Sequence, residues 1–239
     1  MDFVPLASSS AGCCYKLSSG NLPPLLIDAG ISLKLIQQGM KFQLSTLAGC
    51  LISHCHGDHI KSAEKLMIAG VDCWASKETW EQANIRSHRA KLVDPDHDVK
   101  VGPWTVRGFE AIHDVPGTLG FIIAHPDAGK LLYLTDSAYS KYRFNGLTHI
   151  AVECNFSAEL MRANATGGSI HTDRYKRTTR THMSLERLID MLKANDLSTV
   201  EEIHLLHLSD QNSDEEQFRL AIQKATGKPV FVAQKGAAA

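Results

Sequence analysis

A chain of 239 residues with 44% hydrophobic side chains is long enough to bury a sizeable core. Its 25 basic and 26 acidic side chains leave a net charge of −1, which gives no support for a surface covered by a nucleic-acid-binding field. No apolar run approaches membrane-spanning length, no basic-then-apolar leader opens the chain, and the six cysteines lack disulfide-framework spacing. The expectation is a cytoplasmic protein with reduced thiols and no membrane partner. It reads as one domain over residues 1–233, followed by a disordered tail at 234–239.

Taken in order, Phe3 to Leu6 and Tyr15 to Leu17 read as short strands around the small-residue turn Ala7 to Gly12. Leu25-Leu26-Ile27 is a continuous apolar strand that empties into Asp28-Ala29-Gly30, and Ser32 then caps a short helix through Gly39. Leu47 to Ile52 is the next buried strand. A helix from Ile60 to Ala69 keeps the helical period through Ala63, Leu66 and Met67. Val71 to Ala75 is a strand, and Ser76 caps a helix reaching Asn84. From Lys91 to Ala124, alternating segments broken by Pro and Gly predict antiparallel strands.

Leu131 to Leu134 and Ile150 to Val152 continue the strand series. Arg162 to Arg180 is poor in apolar residues and rich in cations, and reads as a mobile loop. Ser184 caps a helix burying Leu185, Leu188, Ile189 and Leu192. Glu202 to Leu208 is a strand, Asp214 to Ala225 a helix, and Pro229 to Val232 a last strand. Strands and helices in two blocks suit a sheet-on-sheet sandwich, although the pattern also admits a doubly wound sheet.

The densest chemistry lies in His54-Cys55-His56-Gly57-Asp58-His59, directly after a buried strand. Alternation along an extended segment points His54 and His56 to one side. Gly57 is expected to permit a sharp turn that returns Asp58 and His59 towards them. Imidazole and carboxylate donors suit zinc, manganese or iron, and the absence of nearby paired cysteines argues against a closed structural zinc site. A two-metal site needs further ligands. His113, Asp136 and His207 each end an apolar run in the same manner. Cys55 points away from the histidines and reads as packing. His88, His97, His125, His149, His171 and His204 have no second ligand at workable spacing, and of these His171 stays open because it sits in the basic stretch.

With those residues in hand, the chain resembles the metallo-β-lactamase superfamily, whose HxHxDH loop is matched by His54, His56, Asp58 and His59. The family's later His, bridging Asp and final His are matched in order by His113, Asp136 and His207. Leu6 to Gly12, Leu26 to Ser32, Thr181-His182-Met183-Ser184 and His207 to Asn212 resemble the YycJ-like and RNase Z-like branch of phosphodiesterases and nucleases. Within that branch, the size, the His207-to-Asn212 segment and the basic stretch are similar to the phage anti-Pycsar enzymes, which cleave cyclic mononucleotides.

The resemblance implies a four-layer αββα sandwich in the α/β (α+β) class. It also implies two divalent ions, zinc or else manganese. His54, His56 and His113 would hold one, Asp58, His59 and His207 the other, and Asp136 would bridge them. It makes His182 the candidate general acid and Glu153 its orienting carboxylate, with Asp58 counted among the catalytic groups. Glu153 also reads as a paired structural acid.

Arg174, Lys176, Arg177, His171 and Ser184 are candidate substrate contacts, and Tyr175 could stack on a base; a solvated insertion is the alternative reading. The implied function is hydrolysis of 3′,5′-cyclic nucleotides by a homodimer, in the host cytoplasm if the gene is viral. The alternatives are a DNA or RNA nuclease of the same branch and a non-catalytic nucleotide-sequestering protein. The transfer-RNA-processing relatives carry a long Gly/Pro-rich arm with no counterpart here. That absence and the charge balance disfavour a large nucleic-acid substrate.

Overall fold

The computed structural model describes residues 1–168 and 170–233; the tail expected at 234–239 lies outside the described residues. The chain carries two β-sheets, of six and seven strands, with eight α-helices among the described residues. Its backbone groups into two compact units. The first comprises Met1–Glu110 and Val115–Gly129, and the second Ala111–Asp114 and Lys130–Ala233.

The first unit opens with a hairpin of β1 (Asp2–Ser9) and β2 (Gly12–Ser18), closed by a two-residue turn with Ser9 opposite Gly12. Both strands run further than the sequence suggested, and the wide turn expected from Ala7 to Gly12 shrinks to Ser10-Ala11. Then come β3 (Leu25–Ile27), α1 (Leu33–Gly39), β4 (Gly49–Leu51), α2 (Gly57–Ile60), α3 (Ala63–Ile68) and β5 (Cys73–Ala75). They are followed by α4 (Lys77–Gln82), β6 (Ala90–Leu92), β7 (Asp98–Val101), β8 (Trp104–Glu110) and β9 (Leu119–His125). The six-stranded sheet is ordered β1 to β6, and from β3 onward its neighbours are parallel. Strands buried on both faces read as unbroken apolar runs, as β3 does.

Register positions the chemistry. Ile27 of β3 lies opposite Leu51 of β4, and Asp28 N–H donates to the Leu51 carbonyl at 2.7 Å. Asp28 and the segment Ser53-His54 therefore leave the sheet side by side. The single helix expected over 60–69 is divided between α2 and α3. Ser62 interrupts it by donating its N–H to Ala29 O (2.9 Å) and its hydroxyl to Ile31 O (2.6 Å).

The second unit contains β10 (Gly129–Leu134, from Lys130 onward), β11 (His149–Glu153), α5 (Ala158–Thr166), α6 (Thr172–Thr181) and α7 (Leu185–Lys193). Its remaining elements are β12 (Glu202–Leu206), α8 (Glu215–Thr226) and β13 (Val230–Val232). β10 through β13 are parallel neighbours in sequence order. Leu134 pairs with Val152 and Glu153 with Leu206, so Asp136, Glu153 and His207 emerge together at the carboxyl ends of three adjacent strands.

The loop expected over 162–180 is mostly helix. Ser157 caps α5 by accepting from Glu159 N and Leu160 N, and His171 caps α6 by accepting at Nδ1 from Asp173 N. Only Tyr175 of α6 packs on the small apolar cluster of Phe156, Met161 and Ile170. The inward stripe of α6 is Tyr175, Thr178, Thr179 and Thr181, mostly threonine, so its helical period is not marked by apolar residues. In α7, Met191 is buried where Ile189 was expected, and Ile189 is half-buried.

The glycine on which the histidine loop depends is not the one inside it. Gly57 has no positive φ, and a Cβ there would meet nothing within 4 Å; the sharp turn is simply the first turn of α2, capped at His56. At Gly30, a Cβ would fall 1.6 Å from the Asp58 carbonyl oxygen, so only glycine lets the end of β3 pass under α2. Gly57→Ala should therefore leave urea-unfolding stability within about 1 kcal/mol of wild type. Gly30→Ala should cost about 3 kcal/mol or more, or prevent folding. Equal stability of the two variants would contradict this assignment.

Candidate metal centre

In the first unit, the cluster is built on a buried carboxylate. Asp28 is fully buried and sits at φ 59°, a left-handed conformation uncommon for a non-glycine residue. Its Oδ1 accepts from Ser53 N–H at 2.8 Å, and its Oδ2 lies 2.7 Å from His59 Nδ1. The Ser53 hydroxyl approaches both carboxylate oxygens, at 2.9 and 3.0 Å, and His54 Nδ1 at 3.0 Å. His54 and His59 are both fully buried. A carboxylate that accepts from Nδ1–H directs Nε2 outward as the coordinating atom, the usual support of a metal-binding histidine.

The donor geometry suits a cation. His54 Nε2 and His56 Nδ1 are 3.1 Å apart. Two nitrogens bound at about 2.0–2.1 Å to one ion, in tetrahedral to octahedral geometry, sit roughly 2.9–3.4 Å from each other. Asp58 stands in the first turn of α2, with Oδ2 3.7 Å from His59 Nε2. Cys55 takes no part in the donor set; its thiol donates to Gln82 Oε1 at 3.4 Å.

The second unit gathers Asp136, Glu153, His182 and His207, each of which offers a ligand atom within 4.8 Å of the others'. Asp136 (φ 47°) and His207 (φ 52°) share the left-handed backbone of Asp28, and all three end a buried strand. Such strain persists where surrounding structure over-determines it, and it concentrates at functional sites. His207 Nδ1 lies 2.9 Å from Asp136 Oδ1 and 3.1 Å from Glu153 Oε1. His113 is steered by the Thr181 carbonyl, 3.2 Å from Nδ1, and its Nε2 lies 3.1 Å from Asp114 Oδ1 and 3.8 Å from Asp136 Oδ2. Burial, only partly opposed by Asp136 and Asp114, holds His113 below its ordinary pKa, which favours the neutral ring that binds metals.

Glu153 is fully buried and its carboxylate is saturated with donors. Oε1 lies 2.6 Å from His182 Nδ1, and Oε2 accepts from Ser137 N–H (3.2 Å) and Met183 N–H (3.0 Å). Burial alone would raise its pKa. The charge of His182 and hydrogen bonds from His182 and His207 more than reverse this and leave it lowered. His182 shows the mirror case: burial lowers it, but attraction and hydrogen bonding to Glu153 leave it raised above 6.5.

The expected substrate contacts divide. Ser184 caps α7 through Arg187 N and is buried, while His171 caps α6 on the surface. Tyr175 is half-buried on its apolar cluster rather than presented as an open ring. Arg177 donates to Asp114 Oδ2 at 2.7–2.8 Å, which ties α6 to the His113 segment. Arg174 and Lys176 are exposed on α6. Asp28, Ser53 and Asp114 were not singled out from the sequence. Asp28 carries the same signature that singled out Asp136, an acid where an apolar strand ends.

A two-sheet α/β chain with His/Asp clusters at its strand ends defines a metallo-hydrolase of the metallo-β-lactamase class. Residues 24–207 match the family described as Beta-lactamase superfamily domain, and the chain belongs to that family. Exodeoxyribonuclease YycJ of Bacillus anthracis is 27% identical over 247 residues, covering 97% of this chain and 91% of that protein. Among solved structures, the metallo-β-lactamase fold protein YhfI from Bacillus subtilis superposes with a TM-score of 0.74 at 18% identity, covering 98% of this chain and 96% of that one. Human tRNase Z, short form, gives 0.61 at 16% identity, covering 98% and 97%.

The two shifted groups fix the sign of a pH effect. A raised His182 contributes stability that is complete below 6.5 and is lost as pH rises through its folded pKa; a lowered Glu153 contributes stability present above 4.5 and lost as pH falls through its folded pKa. In urea unfolding of the metal-free chain, the deficit of His182→Gln relative to wild type should be largest between about pH 4.5 and 6.5 and should shrink at higher pH. A deficit that grows with pH would contradict the pairing.

Proposed function

We propose that the chain is a two-metal phosphodiester hydrolase acting on 3′,5′-cyclic mononucleotides, with residues 1–233 as one hydrolase domain. In this reading His54, His56 and His113 would hold one divalent ion and Asp58, His59 and His207 the other, with Asp136 available to both. Zinc suits this set of nitrogen and carboxylate donors, with manganese the alternative. When bound, such a pair lowers the pKa of water at the site and neutralises charge on the phosphoryl oxygens.

The observation that carries the phosphodiester reading is the His182–Glu153 pair. Its 2.6 Å contact makes Nδ1–H the donor to Glu153 and leaves Nε2 as the atom that faces a substrate. The raised pKa keeps a proton on Nε2 for delivery to a departing alkoxide, whose basicity makes a general acid worthwhile. Lactam or thioester hydrolysis has less need of this pair. The exposed cations of α6, Arg174 and Lys176, supply charge for a phosphate, and α6 ends at Thr181, directly before His182. The similarity to anti-Pycsar enzymes in the His207-to-Asn212 segment supports the cyclic substrate, together with a homodimer. The second reading, an exodeoxyribonuclease, is favoured by the similarity to YycJ along nearly the whole chain.

With zinc or manganese, the purified protein should hydrolyse bis(p-nitrophenyl) phosphate, and the His54→Ala/His56→Ala double variant should lose this activity. Undiminished turnover in that variant would exclude the metal-dependent mechanism. Offered cyclic UMP, cyclic CMP, cyclic AMP and a single-stranded oligodeoxynucleotide under one condition, the enzyme should open a cyclic nucleotide. Cleavage of the oligonucleotide alone would replace the first reading with the second.

A further inference from the structure

We propose that Ser53 is a positioning residue whose single hydroxyl fixes the tautomer of His54 and joins it to His59 through Asp28. The inference rests on the two-metal reading, in which those histidines serve different ions. Ser53 is fully buried, so its hydrogen bonds are not shared with bulk water. Its hydroxyl lies 2.9 and 3.0 Å from the two oxygens of Asp28, 3.0 Å from His54 Nδ1 and 3.4 Å from His59 Nδ1.

Counting protons assigns the roles. A carboxylate can only accept, so the one hydroxyl proton goes to Asp28. The hydroxyl oxygen must then accept from His54, which places the proton on Nδ1 and the ring's lone pair on Nε2. That Nε2 is the atom 3.1 Å from His56 Nδ1, in the chelating pair. Asp28 Oδ2, at 2.7 Å, makes the same assignment for His59. The backbone holds the junction in register, because Ser53 N–H donates to Asp28 Oδ1 and the Ser53 carbonyl accepts from Leu119 N at 2.9 Å. Ser53→Ala keeps both backbone bonds and takes away the hydroxyl that lies 3.4 Å from His59 Nδ1, donates to Asp28 and accepts from His54. The ring is then able to move its proton to Nε2, where it blocks coordination.

Two readouts test this on the full-length chain. Nitrogen-15 NMR of histidine-labelled protein, stripped of metal with a chelator, should show the Nδ1–H tautomer at His54 in wild type and its loss or mixing in Ser53→Ala. In competition with a chromophoric chelator, zinc affinity should fall roughly 10- to 100-fold in the variant. An Nε2–H tautomer at His54 in wild type would overturn the inference, and so would an unchanged tautomer and zinc affinity in Ser53→Ala. The wild-type tautomer decides the matter even if the variant fails to fold. Should wild type take up no zinc, the two-metal reading falls, while the NMR result still judges Ser53.

Discussion

A carboxylate withdrawn from water must find hydrogen-bond donors, and in each unit of this chain histidine rings supply them. Asp28 at the end of β3 holds His59 directly and His54 through Ser53. Glu153 at the end of β11 holds His182 and His207. Removing one partner of such a pair costs about 3–5 kcal/mol, because it strands a buried charge. The same contacts that secure the two acids dictate which nitrogen of each ring carries a proton. Fold stability and ligand orientation are thereby one constraint, satisfied twice.

The sheets make this possible by register. Parallel pairing brings the carboxyl ends of β3 and β4 together in one unit, and those of β10, β11 and β12 in the other. Left-handed backbone at Asp28, Asp136 and His207 then turns the chain sharply at the moment each functional side chain leaves its strand. The energy of these uncommon conformations, of order 1–3 kcal/mol each, is borne by the surrounding core. That core includes Leu26, Cys50, Ile52 and Cys73 in the first unit and Leu132, Ile150, Val152 and Leu205 in the second.

Most of the strands and three of the capping serines could be read from the chain alone, because apolar runs and Ser caps are local signals; Ser157, which caps α5, was not among them. Ser32, Ser76 and Ser184 each cap the helix expected of them. The histidine loop stood out for its density of potential metal donors, and the family is the one its motifs resembled. What escaped depended on distant contacts. Gly30 matters because Asp58 passes over it, a contact between residues 28 apart that no local pattern encodes. Asp28 and Ser53 gain their roles only when β3 and β4 pair. The helix α6 was hidden for a different reason, since its inward stripe of Tyr175, Thr178, Thr179 and Thr181 is mostly threonine and shows no apolar period.

The proposed two-metal mechanism requires both ions for activity. The most direct test adds zinc or manganese stepwise to the metal-free protein and measures bound metal and phosphodiester hydrolysis on the same samples. The account predicts two ions per chain and activity that reaches its plateau only with the second equivalent. Full activity at one equivalent, or turnover with no metal bound, would contradict it.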